Sequence, residues 1–236
     1  MASSSDAPSP RRAFLGKVAG TAAALAAASA IPSEVRALGA SAALRPVPPG
    51  DWDMSWLDRI TGEHRQVFDS PEIAEATQLH QVRTWLAGFK EVYGTTDADM
   101  HGVLVIRHEA IPMVANDAMW ARYHVGKQYD QKDPASGKPA ERNPFLNANV
   151  KEGDAHSLLW PDGGLDTLVE RGQTVLACNM ALRFMSGKLA KVEKLDPKAV
   201  YDDLRANLVS GVTLMPSGIF AVTRAQEAGC RLMYAG

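Results

Sequence analysis

The sequence predicts an α/β protein with a flavodoxin-like, doubly wound and mainly parallel sheet of five strands. Three observations lead to this prediction. Short apolar runs alternate with longer segments of helical periodicity, which is the pattern of a parallel sheet with helices on both faces. The apolar runs are continuous rather than alternating, as expected of strands covered on both sides. The hydrophobic content of 46% is sufficient for a proper core.

The predicted strands are short, and they cover residues 64–69, 102–106, 174–178, 212–215 and 231–235. Between the first two strands, Ser70-Pro71-Glu72 is a good helix start, and apolar residues recur at helical spacing from Ile73 to Val92. The remaining predicted helices cover residues 112–123, 164–171, 179–191, 196–209 and 217–228. Residues 128–157 are rich in Lys, Asp, Pro, Asn and Gly without a period, so we expect a long loop or insertion there.

The N-terminus has the layout of a twin-arginine export signal. Arg11-Arg12 precedes a small-residue apolar run without charge, residues 18–33, and two small-x-small cleavage sites end at Ala30 and Ala42. An uncleaved membrane anchor and an unstructured tail are the alternatives, although the run is short and alanine-rich for a span. We therefore predict a signal peptide and cleavage region over 1–42, an extended lead-in over 43–62, and one α/β domain over 63–236. The predicted location is periplasmic or otherwise extracytoplasmic.

Composition excludes some function classes. The net charge of −2 gives no basic footprint for nucleic acid. The six histidines are scattered, and no His-x-His or Cys-x-x-Cys spacing supports a metal site. Phosphate-binding glycine loops and the Gly-x-Ser-x-Gly elbow are also missing, so the sequence indicates no particular cofactor and no complete catalytic set.

Candidate site residues follow the predicted strands, because ligands of such sheets bind beyond the carboxyl ends of the strands. Cys178 ends one strand and directly precedes a helix, whose N-terminal amides favour a thiolate, so it is our candidate nucleophile. A buried structural cysteine is the alternative. His108 follows another strand and is a candidate acid or base, or else a surface histidine. Candidate ligand-binding residues at these strand ends are Asn179, Asn116, Asp117, Ser217 and Gly218. Asn116 and Asp117 have helix capping as their alternative.

The other cysteine, Cys230, opens the last predicted strand and should lie at the opposite end of the sheet. A five-residue strand spans about 17 Å, whereas the Cα atoms of a disulfide are within about 7 Å. We therefore expect no disulfide between Cys178 and Cys230, and we expect Cys230 to serve packing.

The C-terminal half carries three motifs in order: Gly172–Leu182 with Cys178 after a strand, Gly211–Gly218 with a Pro-Ser-Gly ending, and Ala225–Gly229. This pattern resembles the DsrE/DsrF-like (TusD-like) proteins, and the resemblance extends over roughly residues 102–236. It implies a small α/β domain that is usually oligomeric and linked to sulfur oxidation and sulfur relay. Cys178 falls where the relay members carry their persulfide-forming cysteine, and the export signal indicates an exported branch of this superfamily.

Two main functions remain open. In the first, an exported sulfur-handling protein carries a persulfide on Cys178 and exchanges it with a sulfur donor or acceptor protein. In the second, a non-enzymatic module of the same fold binds a small ligand or metal, or serves assembly. A conventional enzyme has the weakest support. We also predict a homo-oligomer, because the helices near 111–120 and 158–168 look too apolar for the surface of a monomer.

Overall fold

The computed structural model describes residues 52–150 and 159–236. The predicted twin-arginine signal, both cleavage sites and the first part of the lead-in lie outside the described residues. Among the described residues, no helix is both long enough and apolar enough to cross a membrane.

Five parallel strands form one sheet, in the order β4-β3-β2-β1-β5. They are β1 (His64–Ser70), β2 (Met100–Ile106), β3 (Thr174–Cys178), β4 (Val212–Met215) and β5 (Arg231–Tyr234). With helices on both faces, this sheet confirms the predicted flavodoxin-like doubly wound architecture, although the strand order differs from the 2-1-3-4-5 of flavodoxin itself. Every residue of β2 and β3 is buried, as their continuous apolar sequence requires.

Seven α-helices accompany these strands in the described part of the chain. They are α1 (Thr77–Tyr93), α2 (Asp117–Arg122), α3 (Val125–Gln128), α4 (Leu165–Glu170), α5 (Asn179–Glu193), α6 (Pro197–Ala206) and α7 (Gly218–Glu227). Short 3-10 turns cover Ser55–Leu57, Ala74–Ala76, Asp97–Asp99, His108–Val114 and Asn147–Asn149.

Two helix boundaries differ from the sequence prediction. The first helix begins at Thr77 rather than near Ser70, because Ala74, Glu75 and Ala76 have φ values of 40°, 52° and 64°, which a right-handed helix cannot contain. The predicted helix over 112–123 is divided, because Ala115 forms an isolated bridge with Leu208.

The two faces of the sheet carry separate cores. Phe68 and Leu104 point to the face covered by α1, α5 and α6, whereas Val67 and Val103 point to the face covered by α7. This division follows from right-handed crossovers, because the connections after β1, β2 and β3 lead to the neighbouring strand in one direction and the connection after β4 leads back past β1. The strand order therefore reverses between β1 and β5, and the helices that follow β3 and β4 lie on opposite faces of the sheet.

The described part of the predicted lead-in, residues 52–62, is not simply extended. It contains the Ser55–Leu57 turn, and Trp56 is fully buried in the core beneath α7. The apolar residues that suggested an oligomer are also internal, since Ile111, Trp120 and Leu165 are buried in the chain's own core. Those side chains therefore give no argument for an oligomer, which stays a prediction.

The described part of the long loop is attached to the core by polar side chains. Asn143 donates from Nδ2 to the carbonyl oxygens of Met113 and Ala115, both at 2.8 Å. Phe145 is fully buried beside Trp120. The loop therefore packs as part of the domain, and its first residues reach the site described next.

Candidate functional site

A cavity of about 450 Å³ lies at the carboxyl edge of the sheet, beyond the ends of β2, β3 and β4. Residues from three strand ends line it, as the general rule for open α/β sheets predicts. Four of the sequence-predicted site residues meet there, namely Cys178, His108, Ser217 and Gly218. The other lining residues include Arg107, Glu109, Tyr129, Met180, Phe184, Lys188 and Ile219.

Cys178 is the N-cap residue of α5 and is only 6% exposed. Its Sγ accepts the backbone N–H of Ala181 at 3.4 Å. An amide in the first turn of a 15-residue helix therefore faces the sulfur. Such amides and the helix dipole stabilise negative charge, so this position suits a thiolate.

The neighbouring helix also starts at the cavity. Ser217 caps α7, and its Oγ accepts the backbone N–H of Phe220 at 3.1 Å. Two helix N-termini, those of α5 and α7, thus meet at the cavity, beyond the carboxyl ends of β3 and β4. Both contribute partial positive charge to the same edge of the cavity.

Arg107 supplies a full positive charge beside Cys178, and the sequence analysis did not select it. Its Nε and Nη2 donate to the two carboxylate oxygens of Asp69, at 2.6 and 2.8 Å. The hydrogen bond to Asp69 raises the pKa of Arg107, partial burial acts in the opposite direction, and Tyr234 and Cys178 raise it further. The guanidinium therefore lies within the electrostatic reach of the Cys178 sulfur.

His108 is exposed and has a φ of 49°, in the left-handed region. In the described part of the chain its imidazole has no hydrogen-bond partner, so no neighbour fixes its orientation. It lines the cavity with Cys178, and this placement is compatible with the predicted acid or base role.

The outer wall comes from the start of the long loop and from α5. Lys188 Nζ lies 3.7 Å above the centre of the Tyr129 ring. Burial raises the pKa of Tyr129, and the charge of Glu109 raises it further, so the phenol is neutral at ordinary pH. At the mouth, Phe184 is 76% exposed, and Met180 and Ile219 are exposed beside it.

Three predicted ligand residues lie elsewhere and have structural partners. Asn179 accepts the Tyr201 hydroxyl at 2.7 Å and is turned towards α6. Asn116 caps α2 by accepting the N–H of Met119 at 3.2 Å. Asp117 accepts from loop residues, including the backbone N–H of Asn143 at 2.9 Å. None of the three is among the residues that line the cavity.

The other cysteine lies at the amino edge of the sheet, directly before β5. Both cysteines are free thiols. Burial raises the pKa of Cys230 to about 11, and the charge of Arg65 offsets this only partly. Cys230 is therefore protonated at neutral pH.

A second cleft, of about 380 Å³, lies near the amino ends of the strands, and three of its four charged lining residues, Asp97, Asp162 and Arg171, pair with one another. Arg171 makes a two-point ion pair with Asp97, at 2.9 and 2.8 Å, and also approaches Asp162. Within the described ranges, no group of three potential metal-ligating side chains converges. The Cys178 cavity is therefore the better candidate site.

Fold and site together define a doubly wound α/β protein with a buried free thiol in a cavity at the carboxyl edge of its sheet. No protein-family model matches the chain, and a search of curated proteins finds no match either. The resemblance to the DsrE/DsrF-like proteins therefore rests on the sequence motifs alone.

Proposed function

We propose that this protein carries sulfane sulfur as a persulfide on Cys178. The observation that supports the proposal most strongly is the position of Cys178. Its sulfur lies in an open cavity, at the N-terminus of α5 and beside the charge of Arg107. The motifs shared with the DsrE/DsrF-like proteins support the same chemistry.

The transfer is redox-neutral for the protein and the donor taken together. The Cys178 thiol gives its proton to His108, and the thiolate attacks the outer sulfur of a donor R–S–SH. A new S–S bond forms on Cys178, and the donor S–S bond breaks. The R–S⁻ group leaves with the electron pair. An acceptor thiolate later attacks the outer sulfur on Cys178 in the same way and regenerates the thiolate.

The test is the intact mass of the purified protein after exposure to thiosulfate or polysulfide. We expect a gain of about 32 Da per sulfur atom, reversed by a dithiol reductant. Cys178→Ser should abolish the gain, and the matched variant Cys230→Ser should retain it. A gain that persists in Cys178→Ser would contradict the proposal.

We also propose export by the twin-arginine machinery to the periplasm or another extracytoplasmic location. Arg11-Arg12 and the two cleavage sites support this proposal, and the mature chain would then lack the first 30 to 42 residues. Replacing both arginines with lysine should leave the precursor in the cytoplasm. Normal export of that variant would remove the twin-arginine assignment.

A binding or assembly module is the second candidate, and the mouth of the cavity favours it. Phe184, Met180 and Ile219 form an exposed apolar rim, a kind of surface that often contacts a ligand or another protein. The same rim could support the predicted homo-oligomer. Light scattering that shows only monomer at micromolar concentration would contradict the oligomer.

A further inference from the structure

We infer that Arg107 is the anion-binding residue of this site, held in place by Asp69 as its positioning residue. The inference rests on the proposed function and specifies its substrate class. The sulfur donor would be an anion whose negative charge lies beside Arg107 while its outer sulfur lies at Cys178. Thiosulfate, inorganic polysulfide and deprotonated persulfides belong to this class.

The hydrogen bonds of Arg107 leave part of its guanidinium available. An arginine side chain has five N–H donors in a fixed plane. The pair with Asp69 uses Nε and Nη2, and no acceptor for Nη1 is found among the described residues. Because Arg107 also lines the cavity, these remaining donors are a ready partner for a bound anion.

The ends of two other strands, β1 and β4, fix this side chain. Asp69, at the end of β1, anchors the guanidinium, and the backbone N–H of Arg107 donates to Ser70 O at 3.0 Å. After β4, Gly218 leaves the space that the arginine stem occupies. A Cβ at position 218 would lie 2.7 Å from both Cβ and Cδ of Arg107. The arginine is thus preorganised, which lowers the entropy cost of binding an anion.

The other charged groups of the cavity do not replace Arg107. The Lys188 ammonium lies over the Tyr129 ring. Glu109 carries a negative charge in the same lining and opposes anion binding. The N-termini of α5 and α7 add partial positive charge on the Cys178 side, which places the favourable field between Arg107 and the sulfur.

With thiosulfate, the reaction balances without another reactant. The Cys178 thiolate attacks the outer sulfur, a Cys178 S–S bond forms, and the donor S–S bond breaks. Sulfite leaves with the electron pair. Arg107 remains protonated throughout and holds the charge of the donor and then of the leaving sulfite.

The test compares alkylation of Cys178 by the anion iodoacetate and by neutral iodoacetamide, with the modified residue identified by peptide mass spectrometry. Both reagents react with the same thiolate, so the ratio of their rates cancels any change in the thiolate fraction. We expect Arg107→Gln to lower the iodoacetate-to-iodoacetamide ratio about tenfold, because one nearby positive charge is lost.

Arg171→Gln is the matched control. Arg171 has the same 22% side-chain exposure as Arg107 and a similar two-point pair with an aspartate, but it lies at the other end of the sheet. Its loss should leave the ratio unchanged. An equal ratio in wild type and Arg107→Gln would overturn the inference, and so would an equal fall in Arg171→Gln.

A second measurement needs no variant and therefore does not depend on how Arg107→Gln folds. Sulfate should slow the reaction of wild-type Cys178 with iodoacetamide in a saturable way, whereas chloride at equal ionic strength should not. Equal effects of the two salts would overturn the inference. Sulfur loading is measured separately, by intact mass. A protein that shows the charge selectivity but gains no sulfur would contradict the proposed function and leave the inference about Arg107 standing.

Discussion

The two ends of the sheet carry similar residues and have different chemistry. Each end has a free cysteine that is 6% exposed and a two-point arginine–aspartate pair. At the carboxyl end, Cys178 directly precedes helix α5 and Arg107 lines the cavity. At the amino end, Cys230 follows the end of α7, and Arg171 is paired with two aspartates.

The difference shows that direction within a parallel sheet decides what a side chain can do. Helices that follow strands begin at the carboxyl edge, so their unpaired N–H groups and positive dipole ends gather there. Helices that precede strands end at the amino edge and bring the opposite partial charge. The Cys178 sulfur therefore faces a helix N-terminus, whereas burial raises the pKa of Cys230, although the two residues are equally covered.

The largest expected contrast is in thiol reactivity. At pH 8, iodoacetamide should modify Cys178 at least about a hundredfold faster than Cys230, because burial raises the pKa of Cys230 to about 11. The Cys230 rate should increase roughly tenfold per pH unit until the pH approaches that value. Peptide mapping over a pH series measures both rates. The urea-unfolded chain is the control and should show similar rates at both cysteines; similar rates in the folded protein would remove the contrast.

The space beside Arg107 gives the next contrast. Gly218→Ala should cost about 1–3 kcal/mol of unfolding free energy, because the added Cβ collides with the arginine stem. It should also lower the iodoacetate selectivity of Cys178. Gly187→Ala, within α5, meets nothing within 4 Å and should stabilise the protein by about 0.5–1 kcal/mol. Chemical denaturation measures the change in unfolding free energy for both variants. Equal changes would show that the Arg107 stem does not need a glycine at position 218.

The sequence predicted the architecture and four of the residues that line the cavity, for a physical reason. Strand ends of a parallel sheet share one edge, so residues that follow buried strands converge whatever their distance along the chain. This reasoning brought Cys178, His108, Ser217 and Gly218 together correctly. It failed for Asn179, which follows Cys178 in the sequence but turns towards Tyr201 on α6 instead of the cavity.

The missed residues depend on pairings that one sequence does not reveal. Asp69 and Arg107 meet because β1 and β2 are neighbours in a particular register. Their signal was present, since each is a charged residue at or directly after the end of an apolar strand. Tyr129 reaches the cavity through the path of the long loop, which has no periodicity to predict it, and Lys188 lies over its ring from α5.

The two aspartates of the ion pairs give a smaller contrast. Asp69→Asn should lower the free energy of unfolding by about 1–3 kcal/mol. The Asp69 side chain is mostly buried, and without its carboxylate the Arg107 charge is poorly compensated. Asp97→Asn should cost about 0.2–1 kcal/mol, because its side chain is more exposed and Arg171 retains Asp162. Urea unfolding of both variants measures the difference. A larger loss of unfolding free energy in Asp97→Asn than in Asp69→Asn would mean that the Arg171–Asp97 pair contributes more to stability than the Arg107–Asp69 pair.

The smallest expected effect concerns acid stability at the amino end. Burial lowers the pKa of His101 from 6.5, and the charges of Arg59 and Arg65 lower it further. The imidazole Nε2 is hydrogen-bonded to Thr174 Oγ1 at 2.9 Å. A histidine with a lower pKa in the folded chain contributes stability above pH 6.5 that is lost as the pH falls. His101→Gln should therefore show a flatter decline of melting temperature between pH 7.5 and 5. His80→Gln, at a half-buried site on α1, is the control and should retain the wild-type slope. An unchanged slope in His101→Gln would show that His101 does not limit acid stability.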